Sequence, residues 1–277
     1  MSQEIRGLGG IMWRQIGLIG RDKLLKQELY WRLKKRVSFA LIGPAGVGKT
    51  ALLEWCFDHA KEPKVFLSSS HTVRENLQAF CKALDLQLID NKGKKIAISR
   101  ATVNQLEQAC LKVSDVLIFI DDFERSTPSW IRRLKLFAER HVLIVATRPK
   151  IKEDLKPLMW GMSEINIMPL EKKYRQKLAF AFCNHLGSAT SIKEIATKSR
   201  GYPARMLAQA KGEASLNSMK VEGEELDISP LLLLAIACLV AVRYVAIGLN
   251  ETDLYVLGGI GAAIGLFARF MLYRGMK

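Results

Sequence analysis

The stretch Gly43-Pro44-Ala45-Gly46-Val47-Gly48-Lys49-Thr50 satisfies the pattern G-x-x-x-x-G-K-[ST] at every fixed position. Val37 to Ile42 before it is a short apolar run that reads as a buried strand. Ala51-Leu52-Leu53-Glu54-Trp55-Cys56-Phe57 after it reads as the opening of a helix. A glycine loop at a helix start exposes backbone N–H groups to the positive end of the helix dipole, and this suits a chain of phosphates. Gly43 to Ala51 is therefore the expected nucleotide-binding stretch. Lys49 is placed to reach the β- and γ-phosphates, and the Thr50 hydroxyl to hold Mg²⁺. A chance glycine turn would not bring strand, loop, lysine and helix into register together.

Outward from this loop, short apolar runs alternate with helical periodicity. Residues 64–67, 115–120, 141–146 and 165–168 read as further strands, and residues 72–84, 101–113 and 128–139 as the helices between them. That alternation argues an α/β fold with a parallel sheet. Upstream, residues 23–35 keep helical spacing through Leu24, Leu25, Leu29 and Leu33. Residues 85–99 read as irregular, with a basic knot at Lys92-Gly93-Lys94-Lys95. After Leu170 the strands stop, and residues 171–186, 191–199 and 203–211 read as three helices forming a small lid. The expected organisation is a phosphate-loop α/β domain with an N-terminal extension over 1–169, a helical lid over 170–211, and a polar, acidic linker over 212–227.

The composition then changes. Residues 228–249 carry one charge, Arg243, and residues 254–273 carry one, Arg269, with the polar turn Asn250-Glu251-Thr252-Asp253 between them. Each run is long enough as a helix to cross about 30 Å of hydrocarbon, so residues 228–277 read as a transmembrane hairpin and a short tail. The basic region before the two runs and the basic tail, set against an acidic turn, predict both termini in the cytoplasm. Arg269 is near enough to an interface to snorkel, whereas Arg243 lies deeper. Gly261 and Gly265 form a G-x-x-x-G pair suited to close helix approach.

The net charge is +15, nearly all of it before residue 227. Such a surface attracts polyanions, either DNA or anionic lipid. The five cysteines are scattered on apolar faces without C-x-x-C pairing, which reads as buried, reduced thiols in a reducing compartment. The first twenty residues lack the long apolar core of a secretory signal.

Two strand ends supply the remaining chemistry. Asp121-Asp122-Phe123-Glu124 closes the apolar run 115–120. Asp121 is placed to hold Mg²⁺, Asp122 to orient or deprotonate the attacking water, and Glu124 is the rival for that role. Ala146-Thr147-Arg148-Pro149 closes the following strand, so that Thr147 or Arg148 senses the nucleotide state. In the lid, Arg200-Gly201-Tyr202-Pro203-Ala204-Arg205 offers Arg205 at a helix start, within reach of the phosphates.

These motifs, together with a Gly20-Arg21-Asp22 box, resemble those of the AAA+ and STAND ATPases over residues 16–211. Within that group they are similar to the branch of origin-recognition initiators, transposition activators and general-secretion ATPases. The resemblance implies a sheet ordered 5-1-4-3-2, a helical lid, ATP rather than GTP, and homo-oligomers with nucleotide at subunit borders. It also implies an arginine finger from a neighbour, for which Arg125, Arg132, Arg133 and Arg140 are candidates. Asp122 and Arg148 look STAND-like, and this implies a slow switch. The expected function is a membrane-anchored, ATP-hydrolysing motor or switch, held in lipid through residues 228–273 and acting on DNA or a membrane protein complex. The alternative is a nucleotide-gated scaffold that assembles on ATP with little hydrolysis.

Overall fold

The computed structural model describes residues 13–89 and 95–212, all within one compact unit that ends at Gly223. The chain enters through a wide helical segment, Leu24–Leu29, closed by a bond from the Tyr30 N–H to the Leu25 carbonyl, and continues into α1 (Tyr30–Lys35). The helical periodicity expected over residues 23–35 is thus partly a five-residue-repeat turn. Arg36 ends it in a left-handed conformation, and its guanidinium donates to the Asp115 carboxylate at 2.6 Å. Next come β1 (Phe39–Ile42), α2 (Lys49–His59), β2 (Lys64–Ser68), α3 (Val73–Ala83) and a small antiparallel hairpin of β3 (Leu88–Ile89) and β4 (Lys95–Ile96). Then follow α4 (Val103–Lys112), β5 (Leu117–Asp121), α5 (Pro128–Ala138), β6 (Val142–Thr147), the short α6 (Lys156–Met159) and β7 (Ser163–Asn166). The lid is α7 (Lys172–Leu186), α8 (Ile192–Lys198) and α9 (Pro203–Ala210).

The helix starts follow from local chemistry. Thr72 and Glu75 form a reciprocal capping box on α3, and Thr102 and Gln105 another on α4. Thr127 caps α5, with Pro128 in the first turn, where a missing N–H costs nothing.

The five-stranded sheet runs β2-β5-β6-β1-β7, with every pair parallel. Counting only these five strands, the order read from the other edge is 5-1-4-3-2. The pleat divides the apolar runs between two cores. Ile118 and Ile120 of β5, with Leu143 and Val145 of β6, face α3, α4 and α5 through Phe80, Leu106 and Phe137. Leu117 and Phe119, with Ile144 and Ala146, face the other way onto Leu33 of α1 and Leu52 and Leu53 of α2. Strands buried on both faces read as continuous apolar runs for this reason. The lid has its own core around Leu178, Phe182, Ile195 and Met206, against which Ile16 and Ile19 pack.

Several expectations are corrected. The first strand begins at Phe39, two residues after the exposed Val37. The last strand is Ser163–Asn166, shifted from 165–168, because its start is set by pairing Ser163 with Phe39 and Glu164 with Ala40. An edge strand tolerates those polar residues, so hydrophobicity alone misplaces it. The stretch 85–99 contains the β3–β4 hairpin. Cys56, Cys81, Cys110 and Cys183 are free and buried, while Cys238 lies outside the described residues.

No helix among the described residues is long and apolar enough to cross a membrane. The two apolar runs at 228–249 and 254–273, Arg243, Arg269 and the linker after Gly212 lie outside the described residues, as do Lys92 and Lys94 of the basic knot.

Candidate nucleotide site

The site forms where the strand order reverses. β1 lies between β6 and β7, and the loop leaving it passes over the carboxyl ends of the strands, where open α/β sheets bind ligands. The Gly43 N–H donates to the Thr147 carbonyl at 3.2 Å, which ties the start of the loop to the tip of β6. Gly46 and Gly48 take φ of 76° and 99°, values that glycine adopts without a Cβ penalty. Gly48 then caps α2, so the loop delivers its N–H groups at a helix N-terminus.

Lys49 and Thr50 open α2. The Lys49 ammonium donates to the carbonyls of Gly43 at 2.8 Å and Pro44 at 3.0 Å, folded against the loop it serves. Burial lowers its pKa; Glu124, then Asp121 and more weakly Asp122 oppose that, while Arg148 adds to it. The Thr50 hydroxyl donates to Asp121 Oδ2 at 2.8 Å, across 71 residues of sequence. Ser68 pairs in register with Asp121, so the β2–β5 ladder carries this carboxylate to the sheet's upper edge. Burial raises the Asp121 pKa, and the hydrogen bond from Thr50 works against that rise. A hydroxyl and a half-buried carboxylate are hard oxygen donors, and Mg²⁺ takes one or two of these together with phosphate oxygens and water. The residues present therefore fit Mg²⁺.

Asp122 sits just past the strand end with φ of 51°, its N–H donating to Asp121 Oδ1 at 3.0 Å. It opens a single tight turn, Phe123–Arg125, anchored by the fully buried Phe123. That turn brings Glu124 beside Arg148. Glu124 Oε1 pairs with Arg148 Nε at 3.0 Å, and Glu124 Oε2 accepts the Arg148 backbone N–H at 3.3 Å. Thr147 is buried at the tip of β6, its hydroxyl donating to the Arg148 carbonyl at 3.3 Å. The lid closes against the loop through α9: the Ala204 N–H donates to the Gly46 carbonyl at 3.2 Å. Arg205 stands on that helix, with its guanidinium carbon 4.9 Å from the centre of the Tyr202 ring.

The structure also shows a part of the site that sequence reasoning missed. A cavity of about 350 Å³ adjoins the phosphate loop, lined by Gly46 to Leu52, by Trp13 and Ile16 to Ile19, and by Leu178, Phe182 and Leu207 of the lid. The N-terminal segment is strapped over α2 by two contacts. Trp13 Nε1 donates to the buried Glu54 at 2.7 Å, and Arg14 pairs with Asp58 at 2.8 Å. Arg21 donates to the carbonyls of Val47 at 3.2 Å and Met168 at 2.7 Å, binding this segment to the loop. Burial lowers the Arg21 pKa, though a guanidinium keeps its charge under such a shift. The available signal was the apolar Ile16-Gly17-Leu18-Ile19 ahead of Gly20-Arg21-Asp22, but nothing in one dimension brings it to residues 178–207.

Among the arginine-finger candidates, Arg133 is buried, paired with Glu107 at 2.9 Å and bonded to Ser129, so it is a core residue and not a finger. On the same helix Arg132 and Lys135 are exposed. Arg140 donates to the Leu111 carbonyl at 3.0 Å, and Arg125 is exposed.

Residues 33–152 match the family model described as an AAA domain. No curated protein matches the chain. Among solved structures, one described as the Thermotoga maritima RuvB Holliday junction branch migration motor is similar at 16% identity and a TM-score of 0.48, covering 70% of this chain and 61% of its own. A mutant of the same RuvB shares 15% identity at a TM-score of 0.48, with 70% and 62% covered. The chain thus spans about three fifths of these structures' length. Over residues 33–152, which hold the phosphate loop, Asp121, Asp122, Glu124 and Arg148, the chain is similar to the AAA domain family, carried on a P-loop α/β fold with a five-stranded parallel sheet.

Proposed function

We propose that this protein binds ATP with Mg²⁺ and hydrolyses it slowly. The observation that carries the reading is the 2.8 Å bond between Thr50 and Asp121. It joins the loop's hydroxyl to the strand-tip carboxylate at the point where the phosphates and their metal would lie. Lys49 beside them supplies the cation for the β- and γ-phosphates, and the cavity between the N-terminal segment and the lid has the size and apolar walls for a purine nucleoside. Mg²⁺, when bound, would neutralise developing phosphate charge, held by Thr50 and Asp121. The chain's own residues do the rest. The loop N–H groups would cradle the phosphates, Glu124 or Asp122 would orient water, and Thr147 or Arg148 at the strand tip would sense the γ-phosphate. Arg205, on the lid helix that bonds to the loop, would reach the phosphates by leaving Tyr202.

The wider reading is a membrane-anchored switch or motor whose ATPase unit and both termini are cytoplasmic. Two apolar runs of about 20 residues with one charge each support the anchor. The basic excess, including exposed Arg132 and Lys135, supports a polyanionic partner, DNA or a complex at the membrane. The AAA-like region supports assembly into homo-oligomers. A scaffold that assembles on ATP with little turnover is the second reading, favoured by the pairing of Glu124 with Arg148, which occupies one candidate water-orienting carboxylate.

The test is nucleotide binding and turnover by the full chain in detergent, with and without DNA. Lys49→Ala is expected to weaken ATP binding by about a hundredfold or more, as loss of a charge-assisted phosphate contact in a partly buried site does. Binding by Lys49→Ala as tight as wild type would remove the site assignment. Turnover stimulated by DNA favours the motor; ATP-dependent assembly without turnover favours the scaffold.

A further inference from the structure

Two thiols meet inside the helical layer that covers one face of the sheet. Cys81 of α3 and Cys110 of α4 are 29 residues apart in sequence, both are fully buried, and their sulfurs lie 3.6 Å apart. The approach is reciprocal. Cys81 Sγ lies 3.9 Å from the carbonyl of Leu106, one turn before Cys110, and Cys110 Sγ lies 4.0 Å from the carbonyl of Leu77, one turn before Cys81. The closest approach of the two helices therefore falls on this pair, where small side chains let the backbones draw together. Capping boxes at Thr72 and Thr102 fix the start of each helix, and with it the register that opposes the sulfurs. Cys56 and Cys183 are also buried, but among the described residues neither has a second cysteine in reach. Thiolate is the form an oxidant attacks, and burial alone suppresses it, as it does at Cys56. At the pair, the hydrogen bond from Cys110 favours charge on Cys81 and lowers its pKa, while Cys110 keeps its proton and is pushed up. One sulfur is thus the nucleophile and the other its resolving partner.

We propose that Cys81 and Cys110 form a peroxide-responsive dithiol, which hydrogen peroxide converts into an intrachain disulfide that clamps α3 to α4. The Cys81 sulfur bonds to one peroxide oxygen as the O–O bond breaks, and the other oxygen leaves as water with the proton of the Cys81 thiol. The Cys110 sulfur then bonds to the Cys81 sulfur and displaces the first oxygen as a second water, which carries off the Cys110 proton. Each sulfur gives up one electron and each peroxide oxygen gains one. The sulfurs must close from 3.6 Å to the roughly 2.0 Å of a disulfide. α3 and α4 form the outer layer here, with Lys82 and Gln108 exposed beside the two cysteines. Parting these helices to admit a molecule little larger than water leaves the strand ladder intact. The disulfide would tie together the two ends of the segment that holds the β3–β4 hairpin. A closed loop has less entropy to gain on unfolding, so the oxidised chain is the more stable form.

The test uses the full chain in detergent, reduced, freed of reductant and exposed to hydrogen peroxide. Thiol titration and peptide mapping by mass spectrometry without reductant follow, with a model thiol peptide in the same solution to show that the peroxide is active. Wild type is expected to lose two thiols per chain, to yield one cross-linked peptide pair joining Cys81 to Cys110, and to regain both thiols with dithiothreitol. The oxidised form should melt several degrees above the reduced form, again reversed by dithiothreitol. Cys81→Ala and Cys110→Ala should each abolish the cross-link and the rise in melting temperature. Lys49→Ala should form the cross-link as wild type does, since the dithiol is independent of the nucleotide site. Both thiols remaining free while the model peptide oxidises would overturn the proposal in wild type alone, whatever the variants do. So would a cross-link to another cysteine or between chains. A Cys81–Cys110 bond that forms without raising the melting temperature would overturn the clamp.

Discussion

At the scale of single residues, Asp121 shows how a site is built at a cost to stability. Burial raises its pKa above the ordinary 3.8, the Asp122 charge adds to the rise, and Thr50 and Lys49 oppose it. An acid whose folded pKa is raised binds more protons folded than unfolded between the two values. Stability therefore falls as pH climbs from about 3.8 through the raised value, and the deficit persists at neutral pH. Asp121→Asn removes the buried charge while keeping an acceptor for the Asp122 N–H. The variant is expected to melt at a higher temperature than wild type at pH 7 without nucleotide. That gap should close as pH approaches 4, and the dependence of nucleotide affinity on Mg²⁺ should be lost. Melting curves across pH, with nucleotide titrations with and without Mg²⁺, check both. A wild-type protein more stable than Asp121→Asn at pH 7 without nucleotide would contradict the assignment.

At the scale of elements, the contact between the phosphate loop and α9 decides whether the lid senses the loop. Gly46 has φ of 76°, and a Cβ there would lie 3.0 Å from the Ala204 Cβ. Gly46→Ala therefore combines backbone strain, about 1–2 kcal/mol for a left-handed residue with a Cβ, with displacement of the helix whose N–H bonds to the Gly46 carbonyl. Nucleotide affinity is expected to fall about tenfold, equivalent to about 1.4 kcal/mol. The melting temperature should fall only a few degrees, since the sheet's two cores are untouched. Calorimetric titration and a thermal melt of the same sample separate the effects. An unchanged affinity would show that the lid helix does not shape the loop.

At the scale of the whole molecule, the anchor is the property to test. The full chain is expected to remain with membranes through carbonate extraction, and a chain ending at residue 227 to leave them. Fractionation of both forms reads this directly, and recovery of the full chain in the carbonate supernatant would remove the hairpin reading. Among the described residues, the sheet's two cores and the lid core pack through residues up to Ala210, and this supports the truncated chain as the comparison.

The order of elements was legible in the amino-acid sequence because each signal is local. The glycine loop, the apolar strands before Thr147 and Asp121, and the three helices after Leu170 are all written in contiguous residues. The phosphate loop, Thr50 and Asp121 could be singled out as candidates from their types, because phosphate and magnesium demand bare N–H groups, a cation and hard oxygens. Four features could not be read this way. The last strand's register is set by pairing with β1 and not by its own hydrophobicity. Arg133 looked like any surface arginine until Glu107, 26 residues away, was found against it in the core. The apolar cavity unites Trp13, Val47 and Phe182, and the pairing of Glu124 with Arg148 joins the ends of two strands. Each depends on which distant groups share a low-dielectric space, and spacing along a chain does not encode that. Only folding brings such groups together.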